Sequence, residues 1–256
     1  MTPLIYDPWF YAAAIPAVLF VGLSKGGLGG AMGQLGVPLL ALVVSPVQGA
    51  AIMLPILILM DIVALWSWRG FRDAQTLKIM LPGALIGIFI GYLTAKMVTD
   101  DVVKLIVGLL GLWFILRHIV TNRQKIAVAV PHNAVSGGFW GILAGFTSFV
   151  AHAGGPPYQI YTLPLKAEPK IYAGTSTIFF SVVNAVKLIP YFALGQFDAA
   201  NLSASAVLLP IAPLATIAGA WLVKRMSADF FYPLMLVMMA IVSAKLVWDG
   251  ALAVFG

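Results

Sequence analysis

Ionisable side chains inside long apolar stretches are the first residues of this sequence that suggest chemistry, because a charge is costly in lipid. Lys187 lies within the apolar residues 172–194, and Asn184 and Ser176 precede it on or near the same helix face, at steps of three and four residues. A stripe of lysine, asparagine and serine side chains offers hydrogen-bond donors to an oxyanion. The alternative is that the Lys187 amine extends to the helix end, about 10 Å away at 1.5 Å per residue.

Asp61 and His152 are candidates for a different task, the movement of protons. Asp61 lies deep within the apolar residues 50–68, and it would repel a bound anion unless it is protonated or paired with Lys187 or Lys25. Histidine is the side chain that titrates nearest to neutral pH, and it can also donate to an oxyanion. The alternatives are a helix-packing ion pair for Asp61 and an ordinary hydrogen-bonded role for His152, and the sequence does not decide between them.

Two glycine-rich breaks interrupt the apolar stretches, the first at residues 22–30 and the second at residues 147–159. Glycine lets the backbone leave helical geometry and approach a ligand closely. Helix N-termini carry unpaired N–H groups and a partial positive charge, so two facing N-termini would form an anion site. A substrate-binding role is therefore predicted for the glycines of the breaks: Gly26, Gly27, Gly29, Gly30, Gly154 and Gly155. The alternative is tight helix packing, for which the four-residue glycine spacings within residues 83–91 and 137–145 are better candidates.

Neutral donors and one further cation surround the two breaks. Lys25 lies in the first break, where it can contact the anion or serve as a charge of a cytoplasmic loop. The hydroxyl and amide side chains near the breaks are further candidates to line the site: Ser24, Gln34, Thr147, Ser148, Tyr158, Gln159 and Thr175. Some of these side chains are expected to bind the substrate, and the sequence does not rank them.

The composition places these residues in a membrane protein. Apolar residues make up 61% of the 256 residues, charged residues make up 9%, and the mean hydropathy is +1.00. A soluble protein of this size would not cover its surface with so few charges. A nucleic-acid-binding function is therefore excluded, despite a net charge of +6 and an isoelectric point near 9.6.

The sequence offers little for metal, cofactor or thiol chemistry. It has no cysteine, so no thiolate metal site is expected. It has only three histidines, so metal transport is a weak alternative. It contains no P-loop and no dinucleotide fingerprint, and no cofactor is expected. Residues 1–10 contain no lysine or arginine, so they are not typical of a cleavable signal peptide.

The apolar stretches predict an all-α polytopic membrane protein with a single transmembrane domain over residues 1–256. The longer stretches are suited to spanning helices: residues 9–23, 50–68, 77–95, 102–119, 135–150, 172–194, 202–223 and 230–247. Two further stretches, residues 28–44 and 154–165, are shorter, begin with glycines and contain a proline. They are typical of half-helices or re-entrant hairpins, which gives about ten membrane segments, or about eight if the short ones are re-entrant.

The chain repeats itself weakly at a nearly constant offset, which divides it into halves of about 9–120 and about 134–250. The matching pairs are Pro82 and Pro210, Gly91 and Gly219, Lys96 and Lys224, and Asp101 and Asp229. Lysine and arginine collect on the cytoplasmic side if each short stretch crosses the membrane and the N-terminus lies outside. An odd number of crossings per half inverts the second half, and inverted repeats with broken helices are typical of secondary transporters that bind substrate at the midplane.

Short motifs in both halves resemble a known family. The second half contains Gly154-Gly155-Pro156, Leu163-Pro164-Leu165 and Ala173-Gly174-Thr175-Ser176, and residues 26–30 and 37–40 are similar in the first half. In this order they resemble the sulfite exporter TauE/SafE family. The sequence departs from the family pattern at residues 49–52, where Gly-Thr-Ser would stand, and at His152, where many relatives have glycine. The resemblance implies an inner-membrane exporter of a small anion, sulfite or an organosulfonate such as sulfoacetate.

Several alternatives stay open. Residues 22–26 match the Gly-x-Ser-x-Gly nucleophile motif, which with His152 as a base would give an intramembrane serine hydrolase. That motif needs a strand–turn–helix context, which this sequence does not predict, so no catalytic residue is expected. An anion channel, or a transporter of another small anion, would use the same glycine breaks. The glycine spacing within residues 83–91 would serve either internal packing or a homodimer.

Overall fold

The helices of the chain begin and end close to the bounds of the apolar stretches. The computed structural model describes residues 7–28, 36–40, 43–44, 46–94, 99–122, 129–193 and 199–255, so Gly29, Gly30 and Gln34 lie outside the described residues. The described residues form helices and connecting turns, and none of them forms a β-strand. The helices are α1 (Pro8–Lys25), α2 (Gly36–Leu40), α3 (Pro46–Ser67), α4 (Ala74–Thr94), α5 (Asp100–Asn122), α6 (Ala134–Ala151), α7 (Gly155–Thr162), α8 (Pro169–Ala193), α9 (Ala199–Leu208), α10 (Ile211–Lys224) and α11 (Ala228–Phe255).

Six of the described helices are long and apolar enough to cross a bilayer, namely α1, α4, α5, α6, α8 and α11. Helices α9 and α10 pass the same test together, as a pair bent by 48°. Helix α3 is 22 residues long, and its part Ile52–Ser67 is a shorter apolar helix. The prediction of an all-α, multi-pass membrane protein is therefore confirmed, whereas the number of crossings and the inversion of the halves stay predictions.

The second glycine break ends α6 and begins a helix that is too short to cross a membrane. His152 ends α6 in a left-handed conformation with φ of 51°. Helix α7 begins at Gly155 with Pro156 in its first turn, where a missing N–H costs no helical hydrogen bond. Helix α7 and the 3₁₀ turn Leu163–Leu165 that follows it rise about 18 Å at standard helical rises, against about 30 Å for a bilayer core. The helix in the second short stretch is thus shorter than a full membrane span.

Close contacts between helices use the glycines that recur every four residues. Gly83 and Gly87 on α4 lie against the backbone of α6, and a Cβ added at Gly87 would overlap the carbonyl oxygen of Ile142. Gly141 on α6 lies against the backbone of α4 in return. The glycine stripe within residues 83–91 therefore packs inside the chain, which is the first of the two roles that the sequence left open.

A polar cluster joins the beginnings of α4, α6 and α8 at one end of the molecule. Oδ1 of Asp73 accepts the N–H groups of Gln75 and Thr76 and so caps α4. The N–H of Asp73 donates to Oγ1 of Thr175 at 2.8 Å, and Oδ2 of Asp73 lies 2.7 Å from Nε2 of His132, just before α6. Burial raises the pKa of Asp73, but the hydrogen bonds from Thr76 and His132 outweigh burial and lower it below its ordinary value. The cluster fixes the beginning of α8, the helix that carries Lys187.

Candidate functional site

A cavity lies where the ends of α1 and α6 meet α3, α7 and α8. Its volume is about 90 Å³, several times the roughly 10–15 Å³ that one water molecule requires by the same measure. It is lined by the polar residues Ser24, Lys25, Ser148, His152, Ser176, Thr177, Asn184 and Lys187, by Gly154 and Gly155, and by the apolar residues Val21, Met53, Leu57 and Phe180. A space of this size and polarity suits a ligand of a few heavy atoms.

The amine of Lys187 is buried in this cavity. The residue is 1% exposed, and Nζ donates to the carbonyl oxygen of Ser148 at 2.8 Å and lies 3.3 Å from its Oγ. Nδ1 of His152 lies 3.4 Å from the same Nζ. The side chain therefore stays inside the protein instead of extending to the helix end. Lys187 forms no ion pair with a carboxylate of the described residues, which leaves its charge without a neutralising partner there.

Asp61 connects the two halves of the chain beside the cavity. Its Oδ1 accepts from Nζ of Lys25 at 2.6 Å, and its Oδ2 accepts from Nδ2 of Asn184 at 2.8 Å. Of the two lysine partners that the sequence allowed, the structure pairs Asp61 with Lys25. Two lysine amines and one carboxylate therefore lie at or beside the cavity, and only the Lys25 amine is paired with the carboxylate.

The break between α6 and α7 brings backbone to the cavity wall. Gly154 and Gly155 line the cavity at the beginning of α7. The N–H of Ala153 donates to the carbonyl oxygen of Thr147 at 3.0 Å, which holds the turn to the end of α6. A Cβ added at Gly154 would lie 2.7 Å from the carbonyl oxygen of Ala144, so this close approach requires glycine. The first turn of a helix, with its partial positive charge, thus borders the cavity.

The glycines of the first break that the structure describes do not line the cavity. Gly26 packs against α10, where an added Cβ would overlap the carbonyl oxygen of Thr216. Gly27 has φ of 141°, which favours glycine, and it lies against the ring of Trp68. The first break therefore contributes the side chains of Ser24 and Lys25, while its three described glycines, which include Gly22 against Ala215, serve packing and the turn.

Four predicted residues of the second half also lie outside the cavity lining. Thr147 donates to the carbonyl oxygen of Leu143 within α6 at 2.7 Å. Thr175 accepts from the N–H of Asp73 in the polar cluster. Tyr158 is buried among aromatic rings, with its ring centroid 5.2 Å from that of Phe180. Gln159 is 1% exposed within α7. Of these residues, Tyr158 packs on a residue that lines the cavity, Phe180.

The sequence reasoning missed Thr177 and Phe180, which line the cavity from α8. Phe180 lies four residues from both Ser176 and Asn184, so it shares their helix face. That spacing is visible in the sequence, but an apolar side chain on an otherwise polar face does not by itself indicate a site. The apolar residues of α1 and α3 carried no comparable signal, because most residues of a spanning helix are apolar.

A family model for the sulfite exporter TauE/SafE matches residues 14–246. That range runs from α1 to α11 and includes every residue that lines the cavity. The chain belongs to the sulfite exporter TauE/SafE family. No curated protein and no solved structure matches the chain.

Membership of the TauE/SafE family confirms the resemblance seen in the sequence and makes the chain a membrane transporter of the sulfite exporter type. The family fits a protein without catalytic activity. Ser24, the nucleophile of the alternative hydrolase reading, lies in the last turn of α1 and not in a strand–turn–helix elbow. In the described part of the chain, no group of three or more His, Cys, Asp or Glu side chains is placed to hold a metal ion.

Proposed function

We propose that this TauE/SafE protein exports a small sulfur oxyanion, sulfite or an organosulfonate such as sulfoacetate, across the inner membrane. The observation that carries the proposal is the buried amine of Lys187, which lines the cavity and forms no ion pair with a carboxylate of the described residues. The anion binds between the end of α6, the beginning of α7 and the polar face of α8. No catalytic step is involved.

The donors around the cavity suit a ligand with several anionic oxygens. The hydroxyl groups of Ser24 and Thr177 are buried and have no hydrogen-bond partner among the described residues. An unsatisfied buried hydroxyl costs roughly 1–3 kcal/mol, so an oxyanion that accepts from each would recover that cost. The two hydroxyls come from α1 and α8, and thus from both halves of the chain.

The packing of the helices supports an inverted repeat. In this proposal the corresponding helices of the two halves are α1 and α6, α3 and α8, α4 and the pair α9–α10, and α5 and α11. Helix α1 packs on α10, and its counterpart α6 packs on α4, which is the counterpart of α10. In the same way, α3 packs on α10, and its counterpart α8 packs on α4. Helix α5 packs on its own counterpart α11 and runs antiparallel to it, because Gly108 lies against Val247 while Asp101 lies against Gly250. A helix antiparallel to its own counterpart is what an inverted repeat requires.

Contacts between helix ends support about ten crossings. Arg69, just after α3, lies in the same groove as Lys224, at the end of α10. Near the opposite ends of these elements, Oγ of Ser205 donates to the carbonyl oxygen of Ile52 at 2.7 Å. With the N-terminus outside, this arrangement places Arg69 and Lys224 on the cytoplasmic side, as the distribution of positive charge predicts.

The membrane potential suffices to drive export. Moving one negative charge out of a cell whose interior is negative releases about 2.3 kcal/mol per 100 mV, and a dianion releases twice as much. ATP is therefore not needed. Coupling to protons through Asp61 or His152 is a further form of the same mechanism, in which the carboxylate or the imidazole beside the amines carries the proton.

The experiment is sulfite flux in proteoliposomes under an imposed potential, with sulfoacetate and taurine as competitors. We expect flux that rises with the potential and is reduced by those competitors that share the site. Lys187→Met, which keeps the side-chain volume, should reduce flux at least tenfold. Lys245→Met removes the same charge from an ion pair with Asp249 on α11, away from the cavity, and should leave flux nearly unchanged.

Two results would contradict this proposal. Equal flux from the Lys187 and Lys245 variants would remove the buried amine from the site. Cooperative unfolding would show that the protein is folded. If such protein gave no sulfite flux and no competition, the sulfur oxyanions would have no support as substrates. Other small anions would then be tested in the same vesicles.

A further inference from the structure

A second concave site lies at the surface, between the end of α3 and the end of α10. This groove has a volume of about 280 Å³. Two tryptophans and three cations form most of its lining: Trp66, Arg69, Trp221, Lys224 and Arg225. It shares no residue with the cavity at Lys187. The groove is therefore a separate feature that the proposed export mechanism does not use.

The cations of the groove are held in place by aromatic rings. The guanidinium carbon of Arg69 lies 5.2 Å from the centroid of the Trp66 ring, and that of Arg225 lies 4.0 Å from the centroid of the Trp221 ring. Nζ of Lys224 lies 5.3 Å from the centroid of the Trp68 ring. None of the three cations forms an ion pair with a carboxylate of the described residues. Three positive charges are thus positioned around one groove without neutralisation.

The residues of the groove are typical of the level at which a membrane presents its headgroups. Trp66 and Trp221 are 63% and 54% exposed at the ends of two apolar helices, which is the usual position of interfacial tryptophan. Ile217, one turn further into the apolar part of α10, also lines the groove and is 47% exposed. The groove therefore offers positive charge at its rim and apolar surface towards the bilayer core.

We propose that this groove binds the headgroup of an anionic phospholipid of the cytoplasmic leaflet. Arg69, Lys224 and Arg225 would contact the phosphodiester and any further anionic group, while the first part of an acyl chain would lie along Ile217 and the tryptophan rings. Basic pockets between transmembrane helices on the cytoplasmic side have the chemistry that such headgroups require. A free phosphate would satisfy the cations but would leave the apolar wall exposed.

The test is lipid binding to the purified protein in detergent, measured by native mass spectrometry and by thermal unfolding. Phosphatidylglycerol is the probe, with phosphatidylcholine of the same acyl chains as the uncharged comparison. Wild-type protein should retain phosphatidylglycerol at least tenfold more strongly than phosphatidylcholine, and its Tm should rise with phosphatidylglycerol alone. Lys224→Gln/Arg225→Gln should weaken phosphatidylglycerol binding roughly tenfold and remove the rise in Tm.

The matched control is Arg72→Gln/Lys78→Gln, which removes two exposed positive charges outside the groove. It should bind phosphatidylglycerol as the wild type does. Equal losses in both double variants would show attraction to the overall charge of this face and would overturn the proposal. The last measurement is thermal unfolding with inorganic phosphate and no lipid. A rise in Tm equal to that with phosphatidylglycerol would assign the groove to a free anion instead of a lipid. Preserved binding in Lys224→Gln/Arg225→Gln would also overturn it.

Discussion

Asp61 shows how a carboxylate can lie beside the proposed anion site without repelling the anion. Both of its oxygens are engaged, one by Lys25 and the other by Asn184. The pair with Lys25 neutralises the carboxylate, while the Lys187 amine contacts Ser148 and His152 and no carboxylate of the described residues. Removing one partner of a buried ion pair leaves an uncompensated charge, so this arrangement also ties α1, α3 and α8 together.

The backbone conformation of His152 favours glycine, whereas the position of its imidazole favours a role in transport. It holds φ of 51°, a conformation that glycine adopts freely and that costs a side chain about 1 kcal/mol. Its imidazole also lies against the amine of Lys187. We therefore expect His152→Gly to keep or raise the free energy of unfolding, by up to about 1 kcal/mol, while flux falls. Thermal unfolding and vesicle flux check this prediction.

Lys166→Gly is the matched control for His152→Gly. Lys166 is the other described non-glycine residue with positive φ, at 50°, and it does not line the cavity. Its replacement by glycine should raise stability similarly and leave flux unchanged. Full flux in His152→Gly would place the imidazole outside the transport mechanism, and a clear loss of stability would assign it a structural role.

At the scale of elements, the contact between α4 and α6 depends on the absence of side chains. A Cβ at Gly87 would overlap the carbonyl oxygen of Ile142 and lie 2.7 Å from the backbone nitrogen of Phe146. Because neither backbone atom can move independently of its helix, Gly87→Ala should lower the free energy of unfolding by about 3 kcal/mol. Chemical or thermal unfolding in detergent measures the change.

Gly138→Ala provides the comparison on the facing helix. A Cβ at Gly138 would meet nothing within 4 Å, so alanine should be neutral or stabilise α6 by up to about 1 kcal/mol. If Gly87→Ala were equally harmless, the two helices would have to separate easily, and the close packing would carry little of the stability.

The long helices and the second break were predictable from the sequence, because apolar length and glycine content decide helix formation in lipid. Which glycines pack and which line the cavity was not predictable, since that depends on the helix opposite. Gly26 faces α10 and Gly154 faces the cavity, although both occur in similar glycine-rich runs. The pairing of Asp61 was open for the same reason, because Lys25 and Lys187 were both possible partners.

At the scale of the whole molecule, the relative directions of three closely packed helix pairs are consistent with a single topology. Helices α1 and α10 run parallel, since Gly22 lies against Ala215 and Gly26 lies against Ala220. Helices α4 and α6 run parallel in the same way, and α5 and α11 run antiparallel. These directions are the ones that the proposed inverted repeat, with an odd number of crossings in each half, would produce.

That topology predicts on which side of the membrane particular positions lie. The chain has no cysteine, so single cysteines can be introduced without background labelling. Gln75, Thr99 and Ser227 are exposed positions next to helix ends. With about ten crossings and the N-terminus outside, cysteines at Gln75 and Ser227 should react only from the cytoplasmic side, and a cysteine at Thr99 only from outside. If the short stretches did not cross, Gln75 and Ser227 would lie on opposite sides. Labelling of these two positions from opposite sides, by a reagent that does not cross the membrane, would therefore exclude the inverted repeat.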